Sequence, residues 1–234
     1  MGMKQAKNWV IGYDPGGNNA HGVAALAVIS REARWTPERL LVEQKTTVGA
    51  AVEWFEHVCR GGRIVAAGVD TLTEWNDGRC GWRPADLWLR MTYREVAKSV
   101  IPPNSIYGAM TLNGGAFLHS LAKRFEQDGA VITEAHPKVA LFALTQTKTN
   151  WKDQAARDKM TRWLLDELAV APCASGFGAS DHDFDAAMAV LAALRGLNGD
   201  WKLDLHSMTG ISCGKRIQPF GATRFWWPHD DMAP

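Results

Sequence analysis

Residues 12–17 read Gly-Tyr-Asp-Pro-Gly-Gly and follow the apolar run Trp9-Val10-Ile11. A strand that runs into a glycine-rich turn has two common uses. The N–H groups of the turn can cradle a phosphate. Alternatively, the last strand residue, Asp14, can offer a carboxylate to a metal ion. The first use makes a nucleotide binder and the second a phosphodiester-cutting enzyme, so the rest of the chain must decide.

The phosphate reading finds little support. No lysine follows the glycines as in G-x-x-x-x-G-K-[ST], and no G-x-G-x-x-G opens a helix. One rival keeps its first rule. Actin-like and sugar-kinase ATPases also begin with strand-Asp-x-Gly and a hairpin, and Gly16 lies two residues after Asp14. Those proteins repeat the fold in a second half, and this chain of 234 residues has no clear second copy.

Outward from Asp14 the pattern is regular. Residues 8–14 form a short buried strand, 22–30 a second apolar run of strand length, and 39–46 an alternating third. Short turns between them predict an antiparallel meander. The period then becomes helical over 48–60, where Val48, Val52, Phe55 and Val58 share a face, and Gly61-Gly62 stops it. Residues 64–70 are apolar until Asp70, as in a central parallel strand. Helices are expected over 85–99, 115–127, 153–169 and 183–196, with a fifth strand over 130–134 and Pro137 opening another helix. The tail is less clear, though residues 221–228 suit an edge strand. The expected fold is an α/β mixed five-stranded sheet with helices on both faces, a three-strand antiparallel meander followed by alternating α/β units.

The chain is 46% hydrophobic, enough for one sizeable core. We expect a single domain over 1–234, its core at about 8–197 and a C-terminal extension over 198–234. A net charge of +1 argues against an overall basic footprint. Two local basic runs remain. One is Arg79, Arg83, Arg90, Arg94 and Lys98; the other is Lys148, Lys152, Arg157, Lys159 and Arg162. Solvated helix faces and a phosphate-binding surface explain them equally well. Cys59, Cys80, Cys173 and Cys213 lack zinc spacing and suit free thiols. Met1-Gly2-Met3-Lys4 leads into no apolar signal core, and no run approaches about 18 apolar residues. A soluble, cytoplasmic protein is expected. The 11 tryptophans, Trp226 and Trp227 among them, are read as core packing. So is Tyr13, although Tyr13 and Trp75 flank the acids and could stack on a base.

Three strands end in an acid: Asp14, Asp70 and Glu134. If they run parallel, these carboxylates share the rim where open α/β sheets bind ligands. Clustered carboxylates need protons or cations to coexist, and hard cations such as Mg²⁺ or Mn²⁺ favour oxygen donors. Ser180-Asp181-His182-Asp183-Phe184-Asp185 supplies a fourth element. His182 and Asp185 are three apart and share a helix face. Asp181 suits a cap, and Asp183 is open to capping or to the site. The alanines at 186, 187, 189, 192 and 193 would let this helix lie close to the sheet.

These features resemble the ribonuclease H-like superfamily, especially its RuvC-like resolvase branch. They are an Asp closing the first strand of a meander, an acid after the fourth strand, and H-x-x-D-A at a late helix start. Residues 131–144, V-I-T-E-A-H-P-K-V-A-L-F-A-L, also resemble the E-x-x-P segment of a large family of uncharacterised predicted nucleases within that superfamily. The resemblance spans roughly residues 8–197. It implies a nuclease that cuts nucleic acid, DNA with branched substrates included, by a two-metal-ion mechanism, and a homodimer. It implies Asp14, Asp70 and Asp185 as metal ligands for Mg²⁺ or Mn²⁺. It makes His182 a ligand or proton-transfer group and adds Glu134 as a catalytic acid. RuvC-like enzymes commonly carry Glu where this chain has Asp70, which makes Glu74 the alternative at that position. A non-catalytic nucleotide- or nucleic-acid-binding module on the same fold is the competing function. His21, His57, His119 and His206 are read as surface or packing residues.

Overall fold

β1 (Asn8–Asp14) is buried along its whole length beyond Asn8, so it is apolar on both faces. The computed structural model describes residues 7–17, 20–78, 81–101, 108–148, 150–171, 177–210 and 214–228. β1 pairs antiparallel with β2 (His21–Arg31), and β2 pairs antiparallel with β3 (Arg34–Lys45). β4 (Arg63–Val69) lies parallel to β1 on its other side. After the short β5 (Trp75–Asn76), β6 (Val131–Glu134) lies parallel to β4. The sheet order is therefore β3-β2-β1-β4-β6, with β1 in the middle. This is the mixed five-stranded sheet, an antiparallel meander followed by parallel strands, expected from the sequence. Among the described residues it is the only five-stranded sheet.

β3 begins five residues earlier than the alternation suggested. The connection is tight: Glu32 and Ala33 both take left-handed φ, 49° and 63°, which suits a two-residue hairpin turn. A register shift at Ala27/Val28 then accommodates Pro37 opposite Val28.

Helices cover both faces. α1 (Val48–Val58) starts at Thr47, whose hydroxyl accepts from the Ala50 N–H at 3.1 Å. α2 (Pro84–Thr92) continues into a 3-10 turn over Arg94–Ser99, so the expected helix 85–99 is split at Tyr93. α3 (Gly108–Asp128) is longer than expected and packs with α1 over one face of the sheet. α4 (Pro137–Thr145), α5 (Gln154–Glu167) and α6 (Asp181–Leu197) build the opposite side. Among the described residues no helix is long and apolar enough to cross a membrane.

α6 is the central helix, buried from Asp183 to Leu194. It lies directly on the strands because glycines leave it room. A Cβ at Gly12 would fall 2.0 Å from the Ala186 carbonyl oxygen, and one at Gly68 would fall 2.0 Å from that of Ala189. The alanines were legible as the helix half of this contact. The glycines of β1 and β4 are the sheet half.

The C-terminal residues add β7 (Leu203–Asp204), β8 (Arg216–Ile217) and β9 (Trp226–Trp227). β9 pairs with β7, and Arg224 bridges in parallel to Thr133 at the β6 edge. Trp227 is buried against Trp88, Tyr93 and Phe225, the packing role expected of it. Tyr13 is also a core residue, stacked on Phe117 at 4.0 Å with its hydroxyl 2.9 Å from His21 Nδ1. Trp75 is half-buried in β5 and faces Ile217 of β8. His57 and His119 are exposed, whereas His21 and His206 are buried.

The first basic run does not form one patch. Arg83 is buried, and Arg90 donates to the carbonyls of Ala97 and Val100 at 2.8 and 2.7 Å. Arg79 lies outside the described residues, as do Cys80, Cys173 and Cys213. Cys59 is a buried free thiol, pushed up to about 12 by burial.

Candidate active site

β1, β4 and β6 run parallel, so Asp14, Asp70 and Glu134 do leave the same edge of the sheet. Register then separates them. Glu134 pairs with Val69, and Val69 pairs with Tyr13. Side chains alternate along a strand, and Tyr13 and Val69 face the α1–α3 side. Glu134 therefore belongs to the row before Asp14 and Asp70, although it lines the same cavity as Asp70 and Lys138.

Asp14 and Asp70 turn toward the start of α6. Ser180 caps that helix by accepting from the Asp183 N–H at 3.2 Å, so Asp181 is not the cap. Asp181 instead occupies the first turn, which sends His182 and Asp185 to the strand ends. His182 Nδ1 lies 2.6 Å from Asp14 Oδ2. That bond, more than any other influence, raises the His182 pKa.

The acids are electrostatically linked. Burial lifts Asp14 above the usual carboxylate range, against the pull of His182. Asp70 and Asp185 are raised well above that range, first by desolvation and then by the charge of Asp14. Asp70 and Asp185 also repel each other. Asp185 Oδ1 is buried with no hydrogen-bond partner among the described residues. Asp183 is buried too, with its own Oδ1 unpartnered, but its charged neighbours are His182 and Asp181.

Sequence reasoning missed Lys138. Its Nζ lies 3.7 Å from Asp185 Oδ2 and 3.8 Å from Asp181 Oδ2. The signal was a lysine directly after the helix-opening Pro137, where a cation opposes the helix dipole and needs an acidic partner.

Glu134 sits in a second, closed cluster. Arg83 grips it with Nη2 to Oε1 at 2.6 Å and Nη1 to Oε2 at 2.8 Å. The same guanidinium holds Asp86 at 2.7 Å. Thr73 donates to Glu134 Oε2 from its N–H at 2.9 Å and from its hydroxyl at 3.2 Å. Burial alone would raise Glu134, but Arg83 overrides it and holds the carboxyl well below the usual range. Glu74 is also in this network. It accepts from Gln218 at 3.0 Å and pairs with Arg216, and His206 Nε2 lies 3.8 Å from it. Neither glutamate joins the Asp14–Asp70–Asp185 group.

The open group fits a hard dication in kind. It is built from oxygen donors, it is strained by mutual repulsion, and it has one orphaned oxygen. It is not preclosed as a chelate. Among the described residues no three His, Cys, Asp or Glu side chains stand together as a group able to hold a metal ion.

The profile of a family described as "Protein of unknown function (DUF429)" matches residues 12–203. The chain belongs to the DUF429 family. The match includes every acid discussed above. No curated protein matches this DUF429 chain. Among solved structures it is similar to Thermus thermophilus RuvC, at 17% identity and a TM-score of 0.41, over 82% of this chain and 96% of that one. It is also similar to T. thermophilus RuvC in complex with a Holliday junction substrate, at 14% identity and a TM-score of 0.39, over 80% and 94% of the two chains.

Proposed function

We propose that this protein is a divalent-cation-dependent nuclease that hydrolyses nucleic-acid phosphodiester bonds. One observation carries the reading. Asp14, Asp70 and Asp185 come from three elements distant in sequence, yet the charge of Asp14 reaches both others, and all three carboxyls are lifted above the usual range, with Asp14 and Asp185 buried and Asp70 half-buried. A purely structural core avoids that cost unless counter-charges are built in. Perturbed acids grouped at a strand rim mark a functional site.

Asp14, Asp70 and Asp185 would hold the cation, Mg²⁺ or Mn²⁺. When bound, it supplies Lewis-acid polarisation of the phosphate and a nucleophilic water at neutral pH. Asp14 would be the central ligand, since β1 is the middle strand. His182 Nδ1, 2.6 Å from Asp14 Oδ2, would orient that carboxylate toward the cation. Gly16 lets the turn close beside this pair: a Cβ there would fall 1.4 Å from the Ala20 carbonyl oxygen and 3.2 Å from His182 Cε1. A binding module without catalysis would leave these acids without one another's company, and so it is the weaker reading.

The test uses purified protein with Mn²⁺ or EDTA on branched, hybrid and single-stranded nucleic acid. Cutting that needs the cation and disappears in Asp14→Asn supports the reading. No cutting of any substrate, or undiminished cutting by Asp14→Asn, overturns it.

A further inference from the structure

We infer that the Lys138 ammonium takes the place of one of two cations at the acid cluster, so that the site binds a single divalent ion. The inference rests on reading the cluster as a metal centre.

Lys138 is the second residue of α4, in the first turn, where the helix dipole disfavours a cation. It is nevertheless directed at α6. Its Nζ comes within 4 Å of Asp185 and Asp181 at once, yet at 3.7 and 3.8 Å it is beyond hydrogen-bond reach of both. The attraction is therefore one of charge, shared between two carboxylates, as for a bound ion. Its reach extends further, since Asp185, Asp70, Asp181 and Asp14 all raise its pKa.

The side chain also borders open space. A cavity of about 260 Å³ is lined by Asp70, Lys138, Thr71, Leu72, Met110 and His136 among others. Lys138 thus lies between this cavity, which Glu134 and Asp86 also line, and Asp185. Lys138 already places one positive charge between Asp185 and Asp181. A second dication would meet Lys138 at close range and be repelled. The orphaned Asp185 Oδ1 is left as an open donor.

The experiment counts Mn²⁺ per chain by calorimetric titration, checked by Mn²⁺ electron paramagnetic resonance, with nucleic acid absent. The expected result is one ion for the wild type, two for Lys138→Met and one for Lys138→Arg. In EDTA, Lys138→Met melts at a lower temperature than wild type, and Mn²⁺ restores it. Lys138→Gln gives the same comparison if the methionine variant is unstable. Two ions in the wild type, or one in both neutral variants, overturns the inference and leaves the nuclease reading standing. No ion in any of them overturns both.

Discussion

Asp70 and Glu134 leave the same end of neighbouring strands, and the fold treats them in opposite ways. Glu134 receives a bidentate guanidinium and two bonds from Thr73, and its carboxyl is held far down. Asp70 receives burial and the charge of Asp14, and its carboxyl is driven up. One residue of register separates the two outcomes. Glu134 faces a ready-made counter-charge, while Asp70 faces two other acids and a lysine they share. A satisfied carboxylate holds a structure together. A frustrated one is held ready for something that arrives from outside.

The largest effect should come from removing a frustrated acid. Asp14→Asn is expected to abolish Mn²⁺-dependent cutting while the melting temperature without metal stays level or rises, because repulsion is relieved. A large fall in stability would break the contrast between the clusters. Next comes the satisfied cluster. Arg83→Met leaves Glu134 and Asp86 buried without their cation and should cost about 3–5 kcal/mol by urea denaturation. Mn²⁺ binding by the folded fraction should persist. His182→Ala touches the open cluster indirectly, through Asp14. It should weaken Mn²⁺ binding roughly 10–100-fold, measured by titration.

The smallest effect is in pH. Burial lowers His136 from 6.5 to about 4, so it is neutral in the fold and charges on unfolding. A depressed value contributes stability that is present above the unfolded pKa and lost as pH falls through the folded one. Stability should drop by about 1 kcal/mol between about pH 7 and about pH 5.5. His136→Gln should flatten that part of the profile. Glu134 acts only below the ordinary glutamate range, because its folded value is depressed.

Much of this arrangement could be read before any coordinates. Asp14 closed an apolar run and Asp185 stood three residues from His182, so local periodicity placed all three. The meander and the parallel strands followed from run lengths and turn composition. The Arg83–Glu134 pair was not legible, because "strand ending in an acid" says nothing of the partner that the acid meets. Lys138 was missed, and Arg83 was read as part of a basic run, because their partners lie far away in sequence. Lys138 meets α6, and Arg83 meets Glu134 across 51 residues. The early start of β3 was hidden because its turn uses Glu32 and Ala33, neither of which signals left-handed backbone.

The glycines under α6 carry one more consequence. Because Gly12 and Gly68 bring main chain against main chain, the spacing between the strand acids and Asp185 is gauged by backbone thickness. Side-chain repacking cannot adjust it. A methyl group at Gly68 acts as a shim, lifting α6 and carrying Asp185 and His182 away from Asp14 together, with no change in the chemistry of any of the three. The width of the site is thus written in residues that never touch a ligand.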